Sequence, residues 1–194
     1  MDSKLKLIVD SFGKDRFKFD GPIKDYTSLG VGGPVKAFFI AFTNSELTKI
    51  ISICRQFKLP YFLFGTGSKI MISDNGFDGL VIKNRTKNIG VVSVKGKATR
   101  YGIGVEEALV EAEGGVSILK LIEFLNSQTL ETSGLQGMIG SIGGNLFLSG
   151  FLQSKIKSIK VYNLSSEIEE IPAEALSIKK HIILSAVFRI KAKS

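Results

Sequence analysis

The residues with most capacity for chemistry lie in two glycine-rich segments. The first is Gly65-Thr66-Gly67-Ser68-Lys69, which follows the strand-like run Tyr61-Phe62-Leu63-Phe64. A turn of this composition can aim successive backbone N–H groups at one point and so form a concave anion site. Glycine allows the backbone to approach a diphosphate closely, Thr66 and Ser68 offer hydroxyl donors, and Lys69 adds charge. The second is Gly134-Leu135-Gln136-Gly137-Met138-Ile139-Gly140-Ser141-Ile142-Gly143-Gly144-Asn145, with five glycines in twelve positions. So much glycine costs conformational entropy on folding, which chains accept where the backbone must turn sharply or touch a ligand. Two such segments, about 70 residues apart, suggest a long ligand gripped at two places. A pair of tight connections between packed strands accounts for the same glycines equally well, and composition does not choose between the two readings.

Other reactive side chains point to structure. Cys54 falls on the apolar side of a helical pattern, where a thiol is a small buried hydrophobe. His181, the single histidine, opens an apolar strand and reads as a satisfied structural residue. The net charge is +8, which suits nucleic acid, an anionic membrane or a phosphorylated small molecule. The lysines are scattered, however, and none forms a run interleaved with aromatics. They read as a solvated surface, and nucleic-acid binding is the disfavoured alternative.

These segments need elements to position them. Residues 45–57 put Leu47, Ile50, Ile51, Cys54 and Phe57 at helical spacing, with Thr43, Asn44 or Ser45 as the cap. Residues 117–126 put Ile118, Leu121, Ile122 and Leu125 on one face, with Ser117 as the natural cap. Short runs rich in β-branched and aromatic residues at 37–42, 61–64, 80–82, 91–94, 105–112, 156–162 and 182–190 read as strands. The pattern is a mixed α+β protein, strand-rich in its second half. The 194 residues, 44% hydrophobic and 23% charged, suffice for one domain or two small lobes. A polar basic stretch near residues 83–88 divides them into a lead-in at 1–21, a first lobe at 22–85 and a second at 86–194. No apolar run approaches the roughly 20 residues of a membrane span. The start, Met1-Asp2-Ser3-Lys4, has no signal-peptide pattern, and one cysteine excludes an internal disulfide. The expected place is the cytoplasm.

The order of the motifs resembles the MurB family, the UDP-N-acetylenolpyruvoylglucosamine reductases. Thr27-Ser28-Leu29-Gly30-Val31-Gly32-Gly33-Pro34 is similar to the family's opening motif. Gly65-Thr66-Gly67-Ser68-Lys69, with Ile72-Ser73-Asp74-Asn75-Gly76-Phe77-Asp78-Gly79-Leu80-Val81-Ile82 after it, resembles the flavin-diphosphate loop and the strand pair next in the family's chain. Glu113-Gly114-Gly115-Val116-Ser117 resembles the turn before the second-lobe helix, and Gly140-Ser141-Ile142-Gly143-Gly144 the run beside the flavin. Ile183-Leu184-Ser185-Ala186-Val187-Phe188-Arg189-Ile190 is similar to the strand closing the FAD domain. Five motifs in order, over about residues 22–192, are far more specific than any one. The resemblance implies the two-lobed α+β fold of MurB and PCMH-type flavoproteins, with FAD held non-covalently between the lobes. It implies that Gly65, Thr66, Gly67, Ser68 and Lys69 bind the diphosphate. Gly137, Met138, Ile139, Gly140, Ser141 and Gly144 would lie along the isoalloxazine and ribityl chain. The expected electron source is NADPH or another donor.

Several positions depart from the family. Gly30 stands where the opening motif has arginine, Lys69 where the loop has asparagine, and Met138-Ile139-Gly140 where the family has Ile-Pro-Gly. Leu148-Ser149-Gly150-Phe151-Leu152-Gln153 replaces Asn-Ala-Gly-Ala-Tyr-Gly. The interval Ala173-Glu174-Ala175-Leu176-Ser177-Ile178-Lys179-Lys180 has no arginine where the family's tyrosine-arginine-x-serine motif supplies a catalytic one. With Ser194 the last residue, the expectation is that these residues hold the FAD lobes without the family's substrate lobe. The expected protein is thus an FAD-binding flavoprotein that is weak or inactive in the peptidoglycan-precursor reaction, with no catalytic residue assigned. The alternatives are a working reductase completed by a partner and a basic nucleic-acid-binding protein.

Overall fold

Thr43 caps the first of the expected helices, α2 (Asn44–Gln56), its hydroxyl accepting from the Glu46 N–H. The side chains of Leu47, Ile50, Ile51 and Cys54 are wholly buried, each apolar one contributing roughly 1.5–3 kcal/mol of transfer free energy. Burial pushes the Cys54 thiol up to about 12, so it stays protonated and inert. The computed structural model of the chain describes residues 3–28, 30–70, 73, 75–100 and 102–193. Leu29, Ile72, Asp74 and Ser194, each named in the motifs above, lie outside these residues, as do Met1 and Asp2.

The chain divides into two compact units, Met1–Thr86 and Lys87–Ser194. The first contains α1 (Ser3–Phe12), β1 (Phe17–Pro22), β2 (Pro34–Ala41), α2, β3 (Tyr61–Phe64) and β4 (Phe77–Asn84). Its sheet runs β1-β2-β4-β3. Strand β4 pairs in parallel with β2 on one side and β3 on the other, while β1 pairs antiparallel with β2. Residues 1–21, read as a lead-in, supply α1 and most of β1, and bury Leu5, Ile8, Val9 and Phe17. Parallel strands need a crossover, and α2 provides the one between β2 and β3. Ile23, Val35, Phe38, Phe64 and Val81 form an apolar cluster, against which Tyr26, Phe62, Ile70 and Phe77 pack.

The second unit contains β5 (Ile89–Thr99), β6 (Gly102–Glu113), α3 (Ile118–Ser127), α4 (Ile142–Leu146), α5 (Gly150–Ser154), β7 (Ile156–Tyr162), β8 (Ile168–Ile171) and β9 (Ile182–Lys191). Its antiparallel sheet runs β5-β6-β9-β7-β8. Ser117 caps α3 by accepting from the Lys120 N–H. Ile118, Leu121 and Leu125 pack with Val110, Ile159, Ala186 and Phe188 in one apolar core. Both units mix helix and sheet, as the periodicities imply. Among the described residues no helix is long and apolar enough to cross a membrane.

Candidate functional site

In the first unit the loop at residues 65–69 leaves the carboxyl end of β3. In α/β sheets, the carboxyl ends of parallel strands are where ligands gather. Gly67 is buried at the loop's centre with φ +80°. A Cβ built there would stand 2.5 Å from the Tyr26 carbonyl oxygen and 3.1 Å from the Thr27 Cα. The Ser28 N–H donates to the Gly67 carbonyl at 3.1 Å. The sequence suggests that this glycine is kept clear for a diphosphate. The structure corrects the reason: the chain's own segment at 26–28 occupies that space. Thr66 and Ser68 share a hydrogen bond between their hydroxyls at 3.1 Å. Lys69 is exposed.

Lys83 also belongs to this neighbourhood, and the sequence reading missed it. The β3–β4 register pairs it with Phe64, the residue before the loop. Its ammonium donates to the Tyr26 carbonyl at 3.2 Å and lies 5.5 Å from the Tyr26 ring centroid and 5.4 Å from that of Phe64. Burial, and then the like charge of Arg85, hold it below the ordinary lysine range. A lysine at the end of an apolar strand gives no signal in a periodicity reading.

In the second unit the run at 134–144 splits into exposed and occupied parts. Gly137 is exposed at φ +78°, and a Cβ there would meet nothing within 4 Å. Gly144 is exposed, and Ile139 is 62% exposed. Nearby in sequence, Leu148 and Phe151 are exposed as well. Met138 packs partly against the core. Gly140, at φ +110°, accepts from the Ile118 N–H through its carbonyl. Ser141 is buried and caps α4, accepting from the Gly144 N–H at 3.4 Å. Its hydroxyl therefore already has an internal task. The stretch is pinned by Asn145, only 1% exposed, whose side-chain amide donates to the Ile139 and Ser141 carbonyls at 2.9 Å each. Asn145 ends the run in sequence, yet its role is visible only in the folded turn. Because Asn145→Ala leaves the Ile139 carbonyl short of a donor, it is expected to cost about 1–3 kcal/mol. That corresponds to a melting point lower by several degrees at this chain length. An unchanged melting curve would contradict this role.

The interval without arginine folds as a 3₁₀ turn at Ala173–Ala175 followed by exposed Lys179 and Lys180. His181 accepts from the Ser177 N–H through Nδ1 at 3.1 Å, and its Nε2 lies 3.8 Å from Glu169. This is the satisfied structural histidine expected from the sequence. Among the described residues no group of three or more His, Cys, Asp or Glu side chains is placed to hold a metal.

The sequence profile of the FAD binding domain family matches residues 35–156, a span that includes both glycine-rich segments. The chain is 28% identical over 175 residues to the UDP-N-acetylenolpyruvoylglucosamine reductase of Alkaliphilus metalliredigens, covering 88% of this chain and 54% of the relative. It is 28% identical over 203 residues to the enzyme of that name from Clostridium tetani, covering 96% and 61%. The chain thus spans little more than half the length of the curated relatives it matches. Among solved structures it is similar to the UDP-N-acetylenolpyruvylglucosamine reductase (MurB) of Thermus caldophilus, with a TM-score of 0.65 and 20% identity over 92% of this chain and 62% of the other. It is also similar to p-cresol methylhydroxylase, with a TM-score of 0.61 and 12% identity over 100% of this chain and 44% of the other. At these identities the structural likeness shows the two-lobed flavoprotein fold.

Proposed function

The chain belongs to the FAD binding domain family and resembles the MurB reductases, and from that premise we propose how it holds its cofactor, FAD, and what it does with it. Residues 65–69 take the diphosphate, through backbone N–H groups, the Thr66–Ser68 hydroxyl pair and Lys69. Gly137, Met138, Ile139, Gly140, Ser141 and Gly144, in the second unit, meet the isoalloxazine and ribityl chain. The observation that carries this is the open space at Gly137 beside the exposed apolar side chain of Ile139. A flat, largely apolar ring needs unhindered backbone and an apolar edge, and exposed apolar patches commonly mark ligand surfaces. Ser141 contributes by holding α4 and the backbone of the turn, its hydroxyl oxygen accepting from the Gly144 N–H. Binding is non-covalent.

Bound FAD supplies the hydride chemistry that no side chain carries. The chain's own share is to bind, orient and shield the cofactor, with NADPH or another donor as the electron source. The relatives are named for reducing UDP-N-acetylenolpyruvoylglucosamine, a peptidoglycan precursor. We propose that residues 1–194 are weak or inactive in that reaction, because the positions of the family's tyrosine and arginine hold other residues. FAD at a hundred times its dissociation constant should stabilise the fold by about 2.7 kcal/mol, raising the melting point by roughly 5–10 °C. Riboflavin, which lacks the diphosphate, should do less. A melting curve indifferent to FAD at every concentration would overturn the assignment of these loops.

A further inference from the structure

Lys83 is a half-buried ammonium for which the described residues provide no carboxylate: its hydrogen bond goes to a backbone carbonyl and two ring faces lie nearby. The charge beside it, Arg85, has the same sign. Cation–π contact offsets part of the lost hydration, but a charge so placed remains incompletely compensated. Charged groups perturbed by burial and a like charge cluster at functional sites. The location supports this. Lys83 sits beside Phe64 at the carboxyl end of β4, and Phe64 runs directly into the loop at 65–69. The Tyr26 carbonyl that accepts from Lys83 is the atom against which Gly67 is packed. One carbonyl therefore ties the ammonium to the centre of the loop. Lys69, by contrast, is exposed, and ion pairs at exposed positions are worth little.

We infer that Lys83 is the principal fixed countercharge for the diphosphate at this loop, a ligand-binding lysine set behind the glycine turn. This rests on the FAD reading of the same loop. Wild-type protein, Lys83→Met, Lys83→Arg and Lys69→Met would be titrated with FAD and with riboflavin at one ionic strength, and their folding checked by circular dichroism. Lys83→Met should weaken FAD about 10- to 100-fold, as loss of a charge-assisted contact does, while riboflavin affinity moves by less than about three-fold. Lys83→Arg should recover most of the loss. A second measurement needs no variant. Acetylation of Lys83 in the wild-type protein, read by mass spectrometry, should slow when inorganic pyrophosphate is added. Equal FAD affinity in Lys83→Met and wild type would overturn the inference and leave the FAD reading standing. So would an equal loss for FAD and riboflavin, or a larger loss in Lys69→Met. A wild-type protein that binds no FAD would sink the FAD reading itself; protection of Lys83 by pyrophosphate in that protein would still support an anion site.

Discussion

Mixed anaerobically with FAD, NADPH and UDP-N-acetylenolpyruvoylglucosamine, the polypeptide of residues 1–194 is expected to oxidise NADPH no faster than without the sugar nucleotide. Reduction of an enol ether conjugated to a carboxylate needs more than the cofactor's hydride. It needs a cation against the developing enolate and an acid to protonate the carbon. No tyrosine occurs at 148–153 and no arginine at 173–180. In that interval Lys179 and Lys180 are exposed, and His181 accepts from the Ser177 N–H with Glu169 3.8 Å from its Nε2. Loss of a general acid commonly costs about two to four orders of magnitude, and loss of an electrostatic donor about two to three. Rapid oxidation that depends on the sugar nucleotide would show that other residues do this work.

The second large effect is expected at Gly67. Gly67→Val should abolish measurable FAD binding and lower the stability of the first unit. A non-glycine residue at φ +80° is strained by about 1–3 kcal/mol, and the Cβ adds a 2.5 Å approach to a backbone oxygen. The loop has to move away from Tyr26, which carries the Thr66–Ser68 pair with it. Gly137→Ala makes the useful contrast. Its φ is also positive, but its methyl group meets open space. That variant carries the same φ strain, about 1–3 kcal/mol, but no clash with backbone, so it should lose less stability than Gly67→Val while weakening FAD. Circular dichroism melts paired with flavin titrations separate the two cases, and a Gly67→Val protein with normal stability and affinity would remove this loop from the cofactor site.

The contrast marks how far the sequence could be read. Helix α3 was legible to its cap, Ser117, and α2 to one of three candidates, Thr43, Asn44 or Ser45, of which Thr43 is the cap, because a period of 3.6 and a Thr or Ser before it report backbone and burial together. Strands β3 and β7 were legible to the residue, being short apolar runs between breakers. Helix α1 and strand β1 were not: lysines and aspartates interrupt their apolar positions, and pairing of β1 with β2 makes them part of the sheet. Strand β8, Ile-Glu-Glu-Ile at an edge, is held by backbone pairing to β7 with little apolar pattern to announce it. At the candidate site, glycine content pointed to both loops but not to why each glycine is there. Gly67 answers to Tyr26 and Gly137 to open space, and only geometry distinguishes them. Lys83 and Asn145 act through partners distant in sequence or through a folded turn, which composition cannot show.

The central claim is that these residues hold FAD, and titration of the flavin-free chain with FAD tests it most directly. Followed by flavin absorbance and fluorescence, binding is expected to saturate at one FAD per chain with a shifted flavin spectrum, and to weaken as salt rises because exposed charge contributes. A flavin spectrum identical to that of free FAD, with no saturation at millimolar concentration, would contradict it.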